Sequence, residues 1–276
     1  SLGFGIYHTP IIQMFDEPLM WEDIGYTVKS GKLKENNTVT LSRKNVSTPK
    51  YFEELLNKDD SVKVENFQAI EQQYSWIAQE IEQDELDPDD ILIVLPNTYS
   101  AKSEYKELEK FLKANGINSI LAGVDTDRDT FRVNGCVTCA HVYRAKGNEA
   151  PMVYIVNAEY CADGMELIKL RNILFTSITR SRAWVRICGV GEKMQQIEQE
   201  YNQCVTNDFD LNFRIPTADE LKTARRVNRE RSSMEKKILE NAKNNINELI
   251  DNIEKGTVDS ELLPELDKLV QLLKRG

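Results

Sequence analysis

Two stretches of this chain combine residue types that phosphoryl-transfer chemistry uses. The later one runs from Leu170 to Arg182 and reads LRNILFTSITRSR. On a helix advancing about 100° per residue, Leu167, Leu170, Leu174 and Ile178 fall in one stripe that anchors the helix in a core. Arg180 lies roughly a third of a turn from the centre of that stripe, so it is presented sideways near the carboxyl end. Most arginines only meet solvent. One held in place in this way can instead meet the charge that develops on a transferring γ-phosphoryl group, as an arginine finger does. The earlier stretch, Arg144-Ala145-Lys146-Gly147-Asn148-Glu149, lies between two apolar β-type runs, and its glycine suits a tight turn after a strand. No G-x-x-x-x-G-K-[ST] loop occurs, nor any pair of acids placed to hold Mg²⁺. A nucleotide's β- and γ-phosphates would have to be cradled by another domain.

Other chemistries fit less well. His8 and His141 are the only histidines, which nearly excludes a His-based metal site or catalytic triad. The five cysteines (136, 139, 161, 188 and 204) are odd in number and sparse, as expected in a reducing, cytoplasmic setting. Cys136 and Cys139 fall in a strand pattern, where positions i and i+3 face opposite ways, so they read as core thiols and not as half a zinc site. A net charge of −10 argues against a surface that binds polyanions everywhere, but leaves room for a local track. The most basic segment, Lys222 to Lys237, holds Arg225, Arg226 and Arg229. It reads either as a solvated helix face or as a surface for phosphates or a partner. No apolar run approaches the ~20 residues of a membrane span.

The elements that must position these residues follow an alternating grammar. Ile91–Leu95 is continuously apolar, as a strand buried on both faces would be. Short strands are expected at 39–41, 62–64, 119–121, 136–142, 152–156 and 184–188. Helices are expected over 67–81, 101–114 (closed by Asn115-Gly116) and 164–182. Such alternation implies an α/β fold with a parallel sheet covered on both faces. Beyond about residue 205 the strand signal stops. Residues 212–216 read as a connector, and those from 217 onward as a helical hairpin. The expected organisation is a leading segment over 1–60, an α/β domain over 61–204 and a helical extension over 205–276.

In this order and spacing the two stretches resemble motifs V and VI of superfamily 1 helicases of the UvrD/Rep and RecD kind. Those motifs belong to the second RecA-like motor domain, and the resemblance covers roughly residues 60–190. It implies a RecA-like sheet and Arg180 as the finger. It also implies a nucleotide-facing role for Lys146, Gly147, Glu149 and Arg171, with Glu149 accepting hydrogen bonds from ribose hydroxyls. Phe175 stands where the family usually has Tyr, and Ser177 where it has Ala. His141 and Tyr143 replace the family's Thr and His at positions that approach a nucleic-acid backbone. Tyr143 could stack on a base or lie half-buried against the sheet. For the motif IV arginine only Arg43 offers itself, as a surface-loop residue, unless that motif lies before Ser1. The implied whole is an ATP- and Mg²⁺-dependent DNA or RNA helicase. In it, an N-terminal RecA-like domain of the same polypeptide would hold the phosphates and the metal. The alternative is a RecA-like interaction module that no longer works as a motor and binds a protein partner.

Overall fold

The structure, a computed structural model, describes residues 19–43, 58–127, 129–163 and 167–220. The chain divides into two units, Ser1–Pro216 and Thr217–Gly276. In the first, short helices α1 (Met20–Asp23) and α2 (Lys58–Ser61) accompany strands β1 (Tyr26–Ser30), β2 (Thr38–Arg43) and β3 (Val62–Phe67). Helix α3 (Ile70–Gln83), β4 (Ile91–Leu95), α4 (Ala101–Ala114), β5 (Ser119–Leu121) and β6 (Val137–His141) come next. The unit is completed by α5 (Val142–Ala145), β7 (Ala150–Ile155), α6 (Leu167–Ile178), β8 (Ser181–Val190), α7 (Gly191–Thr206) and β9 (Leu211–Arg214).

Six strands form one sheet in the order β3-β8-β7-β4-β6-β5, and every pair in it is parallel. Strand β4 lies inside this sheet, and all five of its residues are buried. Alternation sends Ile91, Ile93 and Leu95 to one face, where Tyr74, Ile77 and Ile81 of α3 and Tyr105, Leu108 and Leu112 of α4 cover them. Leu92 and Val94 point to the other face, into a core with Ile173 and Leu174 of α6 and Met194, Ile197 and Cys204 of α7. This is the RecA-like arrangement expected, a parallel sheet with helices on both faces. Helix α4 ends as anticipated: Gly116 takes φ +72°, its N–H reaches the Lys113 carbonyl (3.0 Å), and the Ile117 N–H reaches that of Leu112 (2.9 Å).

Two expectations are corrected. The 212–216 connector is in part a strand: β9 pairs antiparallel with β2, giving a separate three-stranded sheet, β1-β2-β9. Leu211 and Phe213 alternate into a small core with Trp21, Val39 and Leu41. The apolar pattern spans only four residues, too few to stand out without the partner strand. The 164–182 helix is shorter than expected, since α6 stops at Ile178 and β8 already begins at Ser181. In the second unit, Thr217 and Glu220 form a capping box. The Thr217 N–H donates to Glu220 Oε2 (2.8 Å) and the Glu220 N–H to Thr217 Oγ1 (3.3 Å), which starts a helix where a polar helical stretch was expected. The rest of that stretch, the hairpin, and Arg225, Arg226 and Arg229 lie outside the described residues.

Candidate functional site

Parallel pairing of β7 with β8 starts at Ala150 and Ser181, which are partners in register. The residues just ahead of them, Glu149 and Arg180, are therefore brought together at the amino edge of the sheet, although they come from different motifs. The Ala150 N–H donates to the Arg180 carbonyl (3.0 Å), and Arg180 Nη1 stands 4.0 Å from Glu149 Oε1. Arg180 belongs to the turn after α6, not to the helix. Its Nε donates to the Thr176 carbonyl (3.1 Å) and its Nη2 to Thr179 Oγ1 (3.4 Å), which tethers the guanidinium to the helix end. Its side chain is 16% exposed, whereas that of Glu149 is 53% exposed. Ser177, the small residue of the motif, is fully buried and donates back to the Ile173 carbonyl (2.8 Å), so a larger side chain there would lift α6 off the sheet.

The Lys146–Glu149 turn explains its glycine. After the single turn of α5, Gly147 adopts φ +89° and the Asn148 N–H closes on the Ala145 carbonyl (2.9 Å). A Cβ at Gly147 would meet nothing within 4 Å, so the requirement is conformational and not one of space. Lys146 is exposed beside it. Arg132, which no motif flags, holds this turn from outside. Its Nη1 donates to the Asp89 carbonyl (2.8 Å) and its Nη2 to the carbonyl of Glu149. Sequence reading misses it because both acceptors are backbone groups that the fold delivers from other segments.

Arg171 is not placed for a nucleotide, which corrects the expected contact. It is 2% exposed, with Nη1 and Nη2 donating to both carboxylate oxygens of Glu200 on α7 (3.0 and 2.6 Å) and Nη2 also to the Ala162 carbonyl (2.9 Å). The basic residue of the motif clamps α6 to α7 inside the core. Arg43, expected on a surface loop, lies in a strand. It ends β2 in the small sheet, with its guanidinium 5.2 Å from the centre of the Tyr26 ring.

His141 and Tyr143 lie at the opposite, carboxyl edge, where β6 runs into α5. His141 caps that turn: its Nδ1 accepts from the Arg144 N–H (3.3 Å). Burial and the nearby Arg144 push its pKa below the usual histidine value. Tyr143 is 56% exposed, and its ring meets that of His141 edge-on at 6.4 Å. Between β7 and β4 the same edge is closed by the chain's own polar groups. Asn157, held at φ +55°, accepts from Gln73 Nε2 (2.7 Å) and donates through Nδ2 to Glu104 Oε2 (2.9 Å). Of the C-x-x-C pair, Cys139 lies in the sheet core, where burial pushes its thiol pKa up, and Cys136 precedes β6. Among the described residues no helix is long and apolar enough to cross a membrane.

Residues 137–188 match the model of the UvrD-like helicase C-terminal domain family. No curated protein matches the chain. Among solved structures, one similar chain is the C-terminal domain of a possible DNA helicase from Lactobacillus plantarum WCFS1. It is 21% identical at a TM-score of 0.38, over 53% of this chain and 88% of that one. Another is the arterivirus nonstructural protein 10 helicase in complex with DNA. It is 14% identical at a TM-score of 0.29, over 47% of this chain and 28% of that one. The family match runs from β6 into β8 and so contains both motifs. Glu149 and Arg180 both lie within the residues that match the UvrD-like helicase C-terminal domain model.

Proposed function

We propose that this chain serves as the second motor domain of an ATP-dependent superfamily 1 helicase. ATP would lie between the amino edge of its sheet and a phosphate-loop domain that also holds Mg²⁺. Arg180 would face the γ-phosphoryl group, and Glu149 would accept ribose hydroxyls, on a turn set by Gly147 with Lys146 beside it. The observation that carries this reading is the meeting of Arg180 and Glu149 at adjacent strand starts, 4.0 Å apart. An ion pair that long, with one partner half in water, contributes at most about 1 kcal/mol. It pre-positions the guanidinium without committing it, so a more highly charged phosphoryl group can compete for it. Hydrolysis would then alternate the gap between the two domains and step them along a single strand. On the sheet that strand would meet the carboxyl edge at His141 and Tyr143; Arg225, Arg226 and Arg229, outside the described residues, would contact phosphates on the strength of the sequence alone.

The test is ATPase activity, measured on the 276-residue chain alone and on the chain joined in one polypeptide to its phosphate-loop domain. The chain alone should hydrolyse no ATP. The joined form should do so, stimulated by single strands, and Glu149→Gln in it should raise KM for ATP more than it lowers kcat, because a ribose contact is present in ground and transition states alike. Activity in the chain alone would reveal a phosphate site within it. Inactivity of the joined form would leave a module that binds a protein partner.

A further inference from the structure

The carboxylate of Glu149 is half in solvent, and its ion pair with Arg180 is long. Its direction has to be set by the backbone. The peptide unit that follows Glu149 is held at both poles. Its N–H, on Ala150, donates to the Arg180 carbonyl (3.0 Å), and its carbonyl, on Glu149, accepts from Arg132 Nη2. A peptide unit is planar, so holding both poles fixes ψ of Glu149 and with it the direction in which the side chain leaves.

Arg132 is in turn braced on β4, the strand that is buried at every residue. Strands β7, β4 and β6 are neighbours, so the segments that lead into them lie side by side at the amino edge. Asp89, in the turn Pro88–Asp90 ahead of β4, is gripped twice by the segment ahead of β6. Arg132 Nη1 donates to its carbonyl (2.8 Å), and the Gly135 N–H donates to its Oδ1 (2.7 Å). A guanidinium suits this task. Its donors leave one rigid plane in fixed directions, so a single side chain can hold two carbonyls at a set separation. One arm is anchored ahead of β4, and the other carries that anchorage to the peptide beside the Glu149 side chain.

We propose that Arg132, braced by Asp89, is the positioning residue through which Glu149 selects nucleotides that carry ribose hydroxyls. The proposal rests on the ribose reading of Glu149 under Proposed function and adds the residues that enforce it. It is tested in the polypeptide joined to its phosphate-loop domain, with ATP and 2′,3′-dideoxy-ATP as alternative substrates. In wild type the KM for the dideoxy nucleotide should exceed that for ATP by about 10- to 150-fold, the value of a hydrogen bond to a charged group. Arg132→Ala should bring that ratio most of the way to unity with little change in kcat. Loss of a cation that only attracts phosphates would instead raise both KM values alike and preserve the ratio. Asp89→Asn, whose amide oxygen can still accept from the Gly135 N–H, should keep the wild-type ratio, and Asp89→Ala should lower it. In a Glu149→Ala background, Arg132→Ala should change the ratio no further, since both act through one contact. In the 276-residue chain by itself, Arg132→Ala should speed amide hydrogen exchange over residues 146–150 and leave the exchange of β4 unchanged. A wild-type ratio in Arg132→Ala, a further fall in the double variant, or unaltered exchange in the turn would each overturn the positioning role. A ratio of unity in wild type would overturn it together with the ribose reading of Glu149, leaving the finger assignment of Arg180 to its own turnover assay.

Discussion

Helix α6 and the turn that ends it carry two arginines, each opposite a glutamate, and the two pairs differ in almost everything else. Arg171 is enclosed and bonded to both oxygens of Glu200, which is itself buried. Arg180 stands 4.0 Å from a glutamate that is half in solvent, held mainly by the end of its own helix. The motif treats the two as similar basic positions. Their surroundings make one a clamp within the core and the other a cation at the edge of the sheet that can still take a ligand. A charge that has lost its water and is bonded to a buried carboxylate contributes to the fold, whereas one left with a long, weak contact keeps interaction energy for something that binds later.

The largest effect that could break this contrast is on turnover. In the polypeptide joined to its phosphate-loop domain, Arg180→Ala should lower kcat for ATP by about 10³–10⁵, the range for arginine fingers. Thermal stability should fall only modestly, because the losses are a long, partly exposed ion pair and two hydrogen bonds at the helix end. Near-normal turnover in a steady-state assay would return Arg180 to the ordinary surface and leave nothing functional to compare.

Arg171→Ala should do the reverse. It leaves Glu200 buried without its cation, which costs about 3–5 kcal/mol in comparable buried pairs and should appear as a large drop in the urea midpoint. Arg171→Met combined with Glu200→Leu removes both charges at similar volume and should recover much of that loss. A single variant as stable as wild type would mean that Arg171 is not a clamp and would reopen its nucleotide role.

The smallest effect extends the comparison to the carboxyl edge, where His141 acts as a cap through its neutral ring. Its pKa is lowered in the folded state, so the unfolded chain binds the proton more readily. Burial and the Arg144 charge thus favour the neutral ring, whose contribution is complete above the ordinary histidine pKa of about 6.5 and is lost as the pH falls through that value towards the depressed one. His141→Asn supplies a cap that does not titrate. The difference in Tm between wild type and this variant should shift against wild type from about pH 7.5 to about 5.5, a window that spans the histidine titration. A difference that does not vary with pH would show that the fold does not favour the neutral imidazole.

Much of the molecule was legible in its sequence. The continuous apolar run of β4 required burial on both faces. Asn115-Gly116 closed a helix where it stood. Gly147 marked a turn that needs positive φ, and the leucine stripe placed α6 on the sheet. These features depend on neighbours a few residues apart, so local sequence determines them. The meeting of Glu149 with Arg180 could be anticipated only as a resemblance, because it depends on strand register, and register belongs to the sheet as a whole.

What the sequence left open, tertiary structure decided, and always through partners far along the chain. Leu211 and Phe213 become a strand only against Val39 and Leu41. Arg132 matters because folding carries the carbonyls of Asp89 and Glu149 to it. Arg171 could not be told from a ligand-binding arginine until α7 brought Glu200 beside it. An arginine or a tyrosine can serve a core or a ligand equally well. Burial and partners choose between the two, and both are properties of the packed sheet.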